Sequence, residues 1–243
     1  REALLSYADG DARKLLNTIE LITLSKQEEN SVTINNKIVK EVVSRKSGLY
    51  DKSGEYHYDI ISAFIKSIRG SDPNAAIYWL ARMLQGGEDP LFIARRMIIL
   101  ASEDIGNASP TALVIANACF DAVHKIGMPE ARIILSQAVI YLATSPKSNA
   151  SYLAINKAYD LVNKTGNKIV PLHLRNAPTN MMKNLQYGMG YEYAHDYKNN
   201  FIEQEFFPDT LQGTKLYEPQ NNKREEEMRQ RLKFLWKNKY NYS

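Results

Sequence analysis

From residue 59 to 165 the apolar positions recur with a helical period, and the breaks between runs carry residues that start and stop helices. Ile60, Ile61, Phe64, Ile65 and Ile68 share one side of a 3.6-residue repeat and predict an amphipathic helix. Asp72-Pro73 opens a run containing Ile77, Leu80, Ala81 and Leu84, closed by Gly86 and Gly87. Asp89-Pro90 opens a second run, with Ile93, Met97 and Leu100, closed by Gly106. Ser109-Pro110 opens a third, with Leu113, Val114 and Ala118, closed by Gly127. Met128-Pro129 opens a fourth that ends before Pro146, and Ser148 caps a fifth that ends at Gly166. Proline at the first helical position forfeits nothing, because that amide has no intrahelical partner. Glycine just past the last turn takes the left-handed conformation cheaply. No segment alternates apolar and polar residues between hairpin turns. The pattern predicts an all-α bundle with short connections.

The flanks differ. Residues 1–45 read as a separate helical unit, with helices at 1–8, at 11–25 and from Thr33 onward. In the second of these, Asp11 is the expected N-cap, and Leu15, Leu16, Ile19 and Ile22 are expected on one face. Residues 46–56 are polar, contain Gly48 and Gly54, and lack periodicity, as in a linker. Residues 57–166 form the helical block. The rest, 167–243, is broken by Pro171, Pro178, Pro208 and Pro219 and holds half of the chain's 24 aromatic residues. A segment this aromatic is expected as an irregular arm packed on its own bundle or on a neighbouring subunit, because long structureless loops are rare inside compact domains. Residues 223–239 then predict a helix with Met228, Leu232, Leu235 and Trp236 on one side.

Charge narrows the picture. The net charge is +4, and residues 223–239, with seven Lys/Arg against three Glu, account for all of it. A pull on nucleic acid is therefore expected at this tail first. The single cysteine, Cys119, rules out an internal disulfide and paired-cysteine metal sites. His57, His124, His173 and His195 lack the spacing of a zinc-binding helix, so no metal site is expected. The chain has no apolar run near the roughly 18 residues that span a membrane. It opens at Arg1 within a helical pattern, as expected for a piece of a longer cytoplasmic protein.

One local feature asks for a chemical reason. In the stretch GDARKLLN, Arg13 and Lys14 sit in the first turn of a helix, where the backbone dipole disfavours cations. A surface pairing with Glu2 or Asp9 is one explanation. The other is that Arg13 and the orphan amides of the helix start converge on a phosphate. No G-x-x-x-x-G-K-[ST] loop is present, so any nucleotide would be held by another domain. Glu103 and Asp104 are better explained by pairing with Arg69, Arg82, Arg95 or Arg96 than by acid–base work. Lys147-Ser148 reads as a helix start, and His195-Asp196 lacks a nucleophilic serine.

The stretch GDARKLLNTIE resembles the sensor-2 helix in the lid of AAA+ ATPases, whose arginine reaches the γ-phosphate of ATP. The longer stretches YDKSGEYHYDIISAFIKSIRGSDPNAAIYWLARMLQGGEDPLFIARRMIILASEDIG, GMPEARIILSQAVIYLATSPKSNASY, HLRNAPTNMMK and YEYAHDY resemble the C-terminal region of the replication-associated recombination protein A family. That family is also called MgsA, and its eukaryotic relative is the Werner-helicase-interacting ATPase. The resemblance implies a DNA-stimulated AAA+ ATPase at stalled replication forks, active in replication, recombination and repair. It makes residues 1–45 the lid and residues 57–166 an oligomerisation domain like the clamp-loader collar, forming tetramers. It makes Arg13 the sensor-2 residue of the ATP site. ATP and Mg are expected in the full-length protein and neither on this piece. With no Walker motifs, the piece is expected to be inactive alone and to contribute no catalytic residue. The implied partners are further copies of the chain, single-stranded or fork DNA and single-stranded-DNA-binding protein, in the cytoplasm near the nucleoid.

Lys233, Lys237, Lys239 and Trp236 are the candidate DNA contacts, because cations can hold phosphates while an aromatic ring stacks on a base. The competing expectation is an amphipathic helix docking its apolar side, since Glu225, Glu226 and Glu227 would repel a DNA backbone. The alternative to the assembly reading is a non-enzymatic module that docks nucleic acid or protein.

Overall fold

The structure, a computed structural model, describes residues 4–5, 12–24, 34–39 and 55–242, without the side chains of 13, 14, 17, 21, 24 and 55–57. Of the linker expected at 46–56, residues 46–54 lie outside the described residues, as does the Asp11 cap, while 55 and 56 already belong to a helix. Every described element is helical, as the periodicity predicts, and no strand occurs among them. The principal helices are α1 (Ala12–Leu24), α2 (Glu55–Arg69), α3 (Pro73–Gln85), α4 (Pro90–Leu100), α5 (Thr111–Ile126), α6 (Ala131–Thr144), α7 (Ala150–Thr165), α8 (Asn180–Asn184) and α9 (Lys223–Trp236).

The chain forms two compact units: Arg1–Met97 with Ala116–Thr144, and Ile98–Ile115 with Ser145–Ser243. In the first, α2 packs on α3 and α6, and α3 packs on α6. The buried side chains of these helices fall at steps of three and four: Ile60, Phe64 and Ile68 on α2, Ala76, Leu80 and Met83 on α3, and Leu135, Val139 and Leu142 on α6. Each large side chain buried this way contributes about 1.5–3 kcal/mol. The helix starts follow the expected chemistry. The Asp72 carboxylate accepts from the amides of Asn74 and Ala75, both at 3.0 Å, with Pro73 at the first helical position. Asp89 does the same for Leu91 and Phe92 and also pairs with Arg95 at 3.2 Å.

Two local expectations change. Pro129 is not the first residue of α6. The Met128-Pro129 peptide is cis and lies in the turn before the helix starts at Ala131. Leu16 is exposed, whereas among the described side chains of α1 the buried ones are Ile22 and Thr18. The two buried residues are four apart, and Leu16 projects from another side of the helix.

In the second unit, the chain leaving α4 widens into a π-helical turn, Ala101–Ile105, then tightens into the 3-10 turn Gly106–Ala108. Gly106 has φ +48° and ψ −130°, and a Cβ there would sit 3.0 Å from the Ser148 carbonyl oxygen. Only glycine permits that approach. It allows the Ser148 amide to donate to the Asp104 carbonyl at 2.8 Å, while Ser148 Oγ accepts from Ala150 at the start of α7. Helices α7 and α9 both pack on the Gly106–Ala108 turn. The segment between α7 and α9 is built of short turns rather than long helices. Its ties include Gly188 N–H to Leu172 O at 2.8 Å, Gln204 Nε2 to Gly190 O at 2.9 Å, and a 2.7 Å contact between the His173 ring and Glu205 O.

Candidate functional site

Arg13 lies in the first turn of α1, as its sequence context predicts; its side chain is outside the described residues. Backbone amides of a first helical turn have no intrahelical acceptor and carry partial positive charge.

The four tail candidates go to two different environments. Trp236 ends α9 and sits edge-on against Phe201 at 5.1 Å, Tyr240 at 5.2 Å and Phe206 at 6.3 Å. Lys239 folds back over this cluster, with its ammonium 4.6 Å from the Trp236 ring and 5.4 Å from Tyr240. The same ammonium pairs with Glu205 at 3.0 Å, and the two side chains are only 15% and 23% exposed. Burial pushes the Glu205 carboxyl up. The amides of Phe207 and Phe206 and the Lys239 ammonium outweigh that and hold it below the usual carboxylate range. Trp236 and Lys239 are thus joined, in a cluster the tail forms with residues some thirty positions upstream. Lys233 and Lys237 remain exposed. The aromatic beside them that reaches solvent is Phe234, 67% exposed, which the sequence sets in the same basic tail as Trp236. Its position one residue after Lys233 and three before Lys237 was the available signal.

The start of α9 is organised around a carboxylate and a guanidinium, both buried. Asn222 caps the helix by accepting from the Glu225 amide at 3.0 Å. Glu225, fully buried, accepts from Tyr217 Oη at 3.0 Å and Asn222 Nδ2 at 2.6 Å. This is a variant of the capping box, with the side-chain amide of Asn222 as donor. Burial, then the Glu225 charge, push the Tyr217 phenol up to about 12, so it stays a donor. Arg229 donates to Glu218 at 2.8 Å, to Glu226 at 3.1 Å and to the Pro219 carbonyl. The glutamate run is therefore partly structural, with Glu225 enclosed and Glu226 paired to Arg229.

The remaining candidates have structural roles. Asp104 is buried, and its charge acts on Lys147, whose ammonium donates to the Ser145 carbonyl at 2.6 Å. Burial lowers the Lys147 pKa, and Asp104 opposes that effect. The N-cap of α7 is Asn149 rather than the expected Ser148, which sits one residue earlier and accepts from the Ala150 amide at 3.2 Å, and His195 rests against Tyr193 with ring centroids 5.0 Å apart. Among the described residues no three His, Cys, Asp or Glu side chains cluster as metal ligands, and no helix is long and apolar enough to cross a membrane.

Known proteins with similar sequences cover nearly all of the chain. A family model described as AAA C-terminal domain matches residues 1–69, and one described as MgsA AAA+ ATPase C terminal matches residues 70–236. The chain is 44% identical over 236 residues to Replication-associated recombination protein A of Haemophilus influenzae, covering 96% of this chain and 53% of the relative. It is 40% identical over 238 residues to the Escherichia coli K12 protein of the same name, covering 97% and 53%. It is 37% identical over 235 residues to ATPase WRNIP1 of Dictyostelium discoideum, covering 89% and 27%. The chain spans about half the length of the replication-associated recombination proteins it matches. Its helical architecture and the match over residues 70–236 together establish that the chain belongs to the MgsA AAA+ ATPase C-terminal family.

Proposed function

We propose that this chain is the lid and oligomerisation region of a DNA-stimulated AAA+ ATPase acting in replication and recombination. In this reading residues 1–45 are the lid and the helical block gathers several ATPase heads, as a tetramer. DNA at stalled forks and single-stranded-DNA-binding protein are the partners of the longer protein, near the nucleoid. The observation that carries the assembly half is the apolar surface of the second unit. Ile155, Tyr159, Val162, Ile169, Met181 and Met189 are all more than half exposed, and the first three share one side of α7.

The nucleotide half rests on Arg13. An arginine in the first turn of α1, where the orphan amides are, suits an anion, and phosphate is the anion that these two donor types would hold best. ATP, when bound, supplies the phosphoryl group whose departure the lid senses. Arg13 would bind and orient its terminal phosphate. The sequence has no phosphate-binding loop, so the other phosphate contacts and the magnesium ion fall outside these 243 residues. Replacing Arg13 by Ala in the longer protein should lower the turnover of ATP hydrolysis at least about tenfold, equivalent to ~1.4 kcal/mol of lost stabilisation. Unchanged turnover would remove Arg13 from the mechanism.

A second reading, a nucleic-acid docking module, is favoured by the exposed Phe234 between the exposed Lys233 and Lys237. It requires binding of single-stranded DNA that weakens steeply with salt and is lost in a Phe234→Ala, Lys233→Ala variant.

A further inference from the structure

Helix α7 carries two apolar stripes. One contains Ala150, Ala154, Ala158 and Leu161 and is turned toward the body of the second unit, buried or half-buried throughout. The other contains Tyr152, Ile155, Tyr159 and Val162, exposed by 44%, 52%, 65% and 56%. At 100° per residue the two stripes lie about 120° apart around the helix.

The exposed stripe has a specific spacing. Its intervals of three, four and three residues are those of a heptad seam, the pattern by which one helix receives another. With Tyr152 and Tyr159 at the first apolar position of each heptad, the flanking positions are Ser151, Asn156, Ala158 and Asn163. None is charged. The charges of α7, Lys157, Asp160 and Lys164, all project on the far side from the seam. A helix that meets a partner of opposite charge usually shows charges beside its seam, because these choose the partner. On α7 itself no charge beside the seam repels an identical helix or selects a different one.

Area points the same way. Taking roughly 200 Å² for a tyrosine side chain and somewhat less for the aliphatics, the seam leaves about 400 Å² of apolar surface in water. Ile169, Val170 and Leu172, directly after α7 and also exposed, bring this to roughly 700 Å². Stable interfaces bury about 800 Å² per partner. One copy therefore offers nearly the surface that a symmetric pair requires.

We propose that the Tyr152–Ile155–Tyr159–Val162 seam of α7 is a self-association surface, packing against the same seam of a second copy about a two-fold axis. This rests on the assembly reading above and adds to it the location of the contact. A two-fold contact is closed by two copies, so a tetramer would join two such pairs through a different surface.

The test is the mass of the 243-residue chain by light scattering at micromolar concentration, with helicity checked by circular dichroism. Ile155→Glu with Tyr159→Glu should halve the mass of the assembly. Lys157→Glu, on the far side of the same helix, should leave it unchanged. An assembled parent whose mass the seam variant does not alter overturns the seam while leaving the assembly reading standing. A parent that is monomeric overturns the assembly reading itself, and the seam with it. Should the charged variant fail to fold, Ile155→Cys and Tyr159→Cys, each in a Cys119→Ala background, decide the matter by oxidation alone and mixed. A covalent dimer at either position, or between the two, supports the contact. Its absence in all three, with the parent assembled, overturns it.

Discussion

Replacing Tyr217 by Phe removes one oxygen and nothing else, and the structure fixes what that costs. The hydroxyl donates to Glu225 at 3.0 Å, and Glu225 has no solvent exposure. The ring keeps its volume, so packing is preserved and the loss falls on a buried carboxylate left with fewer donors. Hydrogen bonds to charged groups are worth about 1.5–3 kcal/mol, and removing the buried hydroxyl itself offsets part of this. The expected destabilisation is about 2 kcal/mol, confined to the second unit. Each unit contains one tryptophan, Trp79 in the first and Trp236 in the second. In a Trp79→Phe background, Trp236 fluorescence reports on the unit that holds Tyr217. With a urea slope of roughly 2 kcal/mol per molar, the midpoint should fall by about 1 M. Tyr193→Phe, at an exposed tyrosine, is the control. A shift below about 0.3 M, or one equal to the control's, would refute the assignment. The same contact predicts a pH effect. The folded-state phenol is raised from about 10 to about 12, so the folded chain holds that proton more tightly. Its contribution is intact below pH 10 and is lost as the pH rises toward 12. Tyr217→Phe should flatten that decline.

Three further outcomes follow from single positions. Phe64→Ala empties a fully buried site between α2 and its neighbours and should destabilise the first unit by about 3–5 kcal/mol, read from Trp79 in a Trp236→Phe background. Gly106→Ala forces a methyl group to 3.0 Å from the Ser148 carbonyl at a left-handed φ, and should cost about 1–3 kcal/mol in the Trp236 transition. Burial pushes the Cys119 thiol up to about 11, so a thiol reagent at pH 8 should label the native chain very slowly and one thiol per chain in urea. Rapid native labelling would contradict that environment.

Which of these features could be read beforehand depends on how local their causes are. The caps at Asp72 and Asp89 and the left-handed glycines Gly127 and Gly166 are set within four residues, and all appear as expected. The row Ile60, Phe64 and Ile68 is equally local, since helical period alone puts those positions on one face. Pro129 was misplaced because a proline before a helix can lead the helix or turn into it, and the neighbouring residues do not separate the two. The π-helical turn after α4 ends at Gly106, whose close approach to Ser148, forty-two residues apart, no local pattern announces. Trp236 and Lys239 are another such case. Their partners Phe201, Glu205 and Phe206 come from a segment with no periodicity, so composition shows a basic aromatic tail but not that the tail uses its own aromatics.

The same non-locality decides how much charge the tail offers a polyanion. Counted along the sequence, residues 223–239 carry seven cations. Arg229 is bound by Glu218 and Glu226, and Lys239 by Glu205, and both side chains are largely enclosed. What remains exposed on α9 and just beyond it is Lys223, Arg224, Arg231, Lys233 and Lys237, facing the exposed carboxylates of Glu226 and Glu227 as well. Counterion release scales with phosphates actually neutralised, not with lysines and arginines present. A salt slope for single-stranded DNA near the full count of seven would mean that Arg229 and Lys239 leave their glutamates on binding. The aromatic cluster around Trp236 opposes that, because releasing Lys239 would strip both an ion pair and two ring contacts from the ammonium. The tail is therefore a packed helix first, and whatever nucleic acid it meets must be held by the cations left over from that packing.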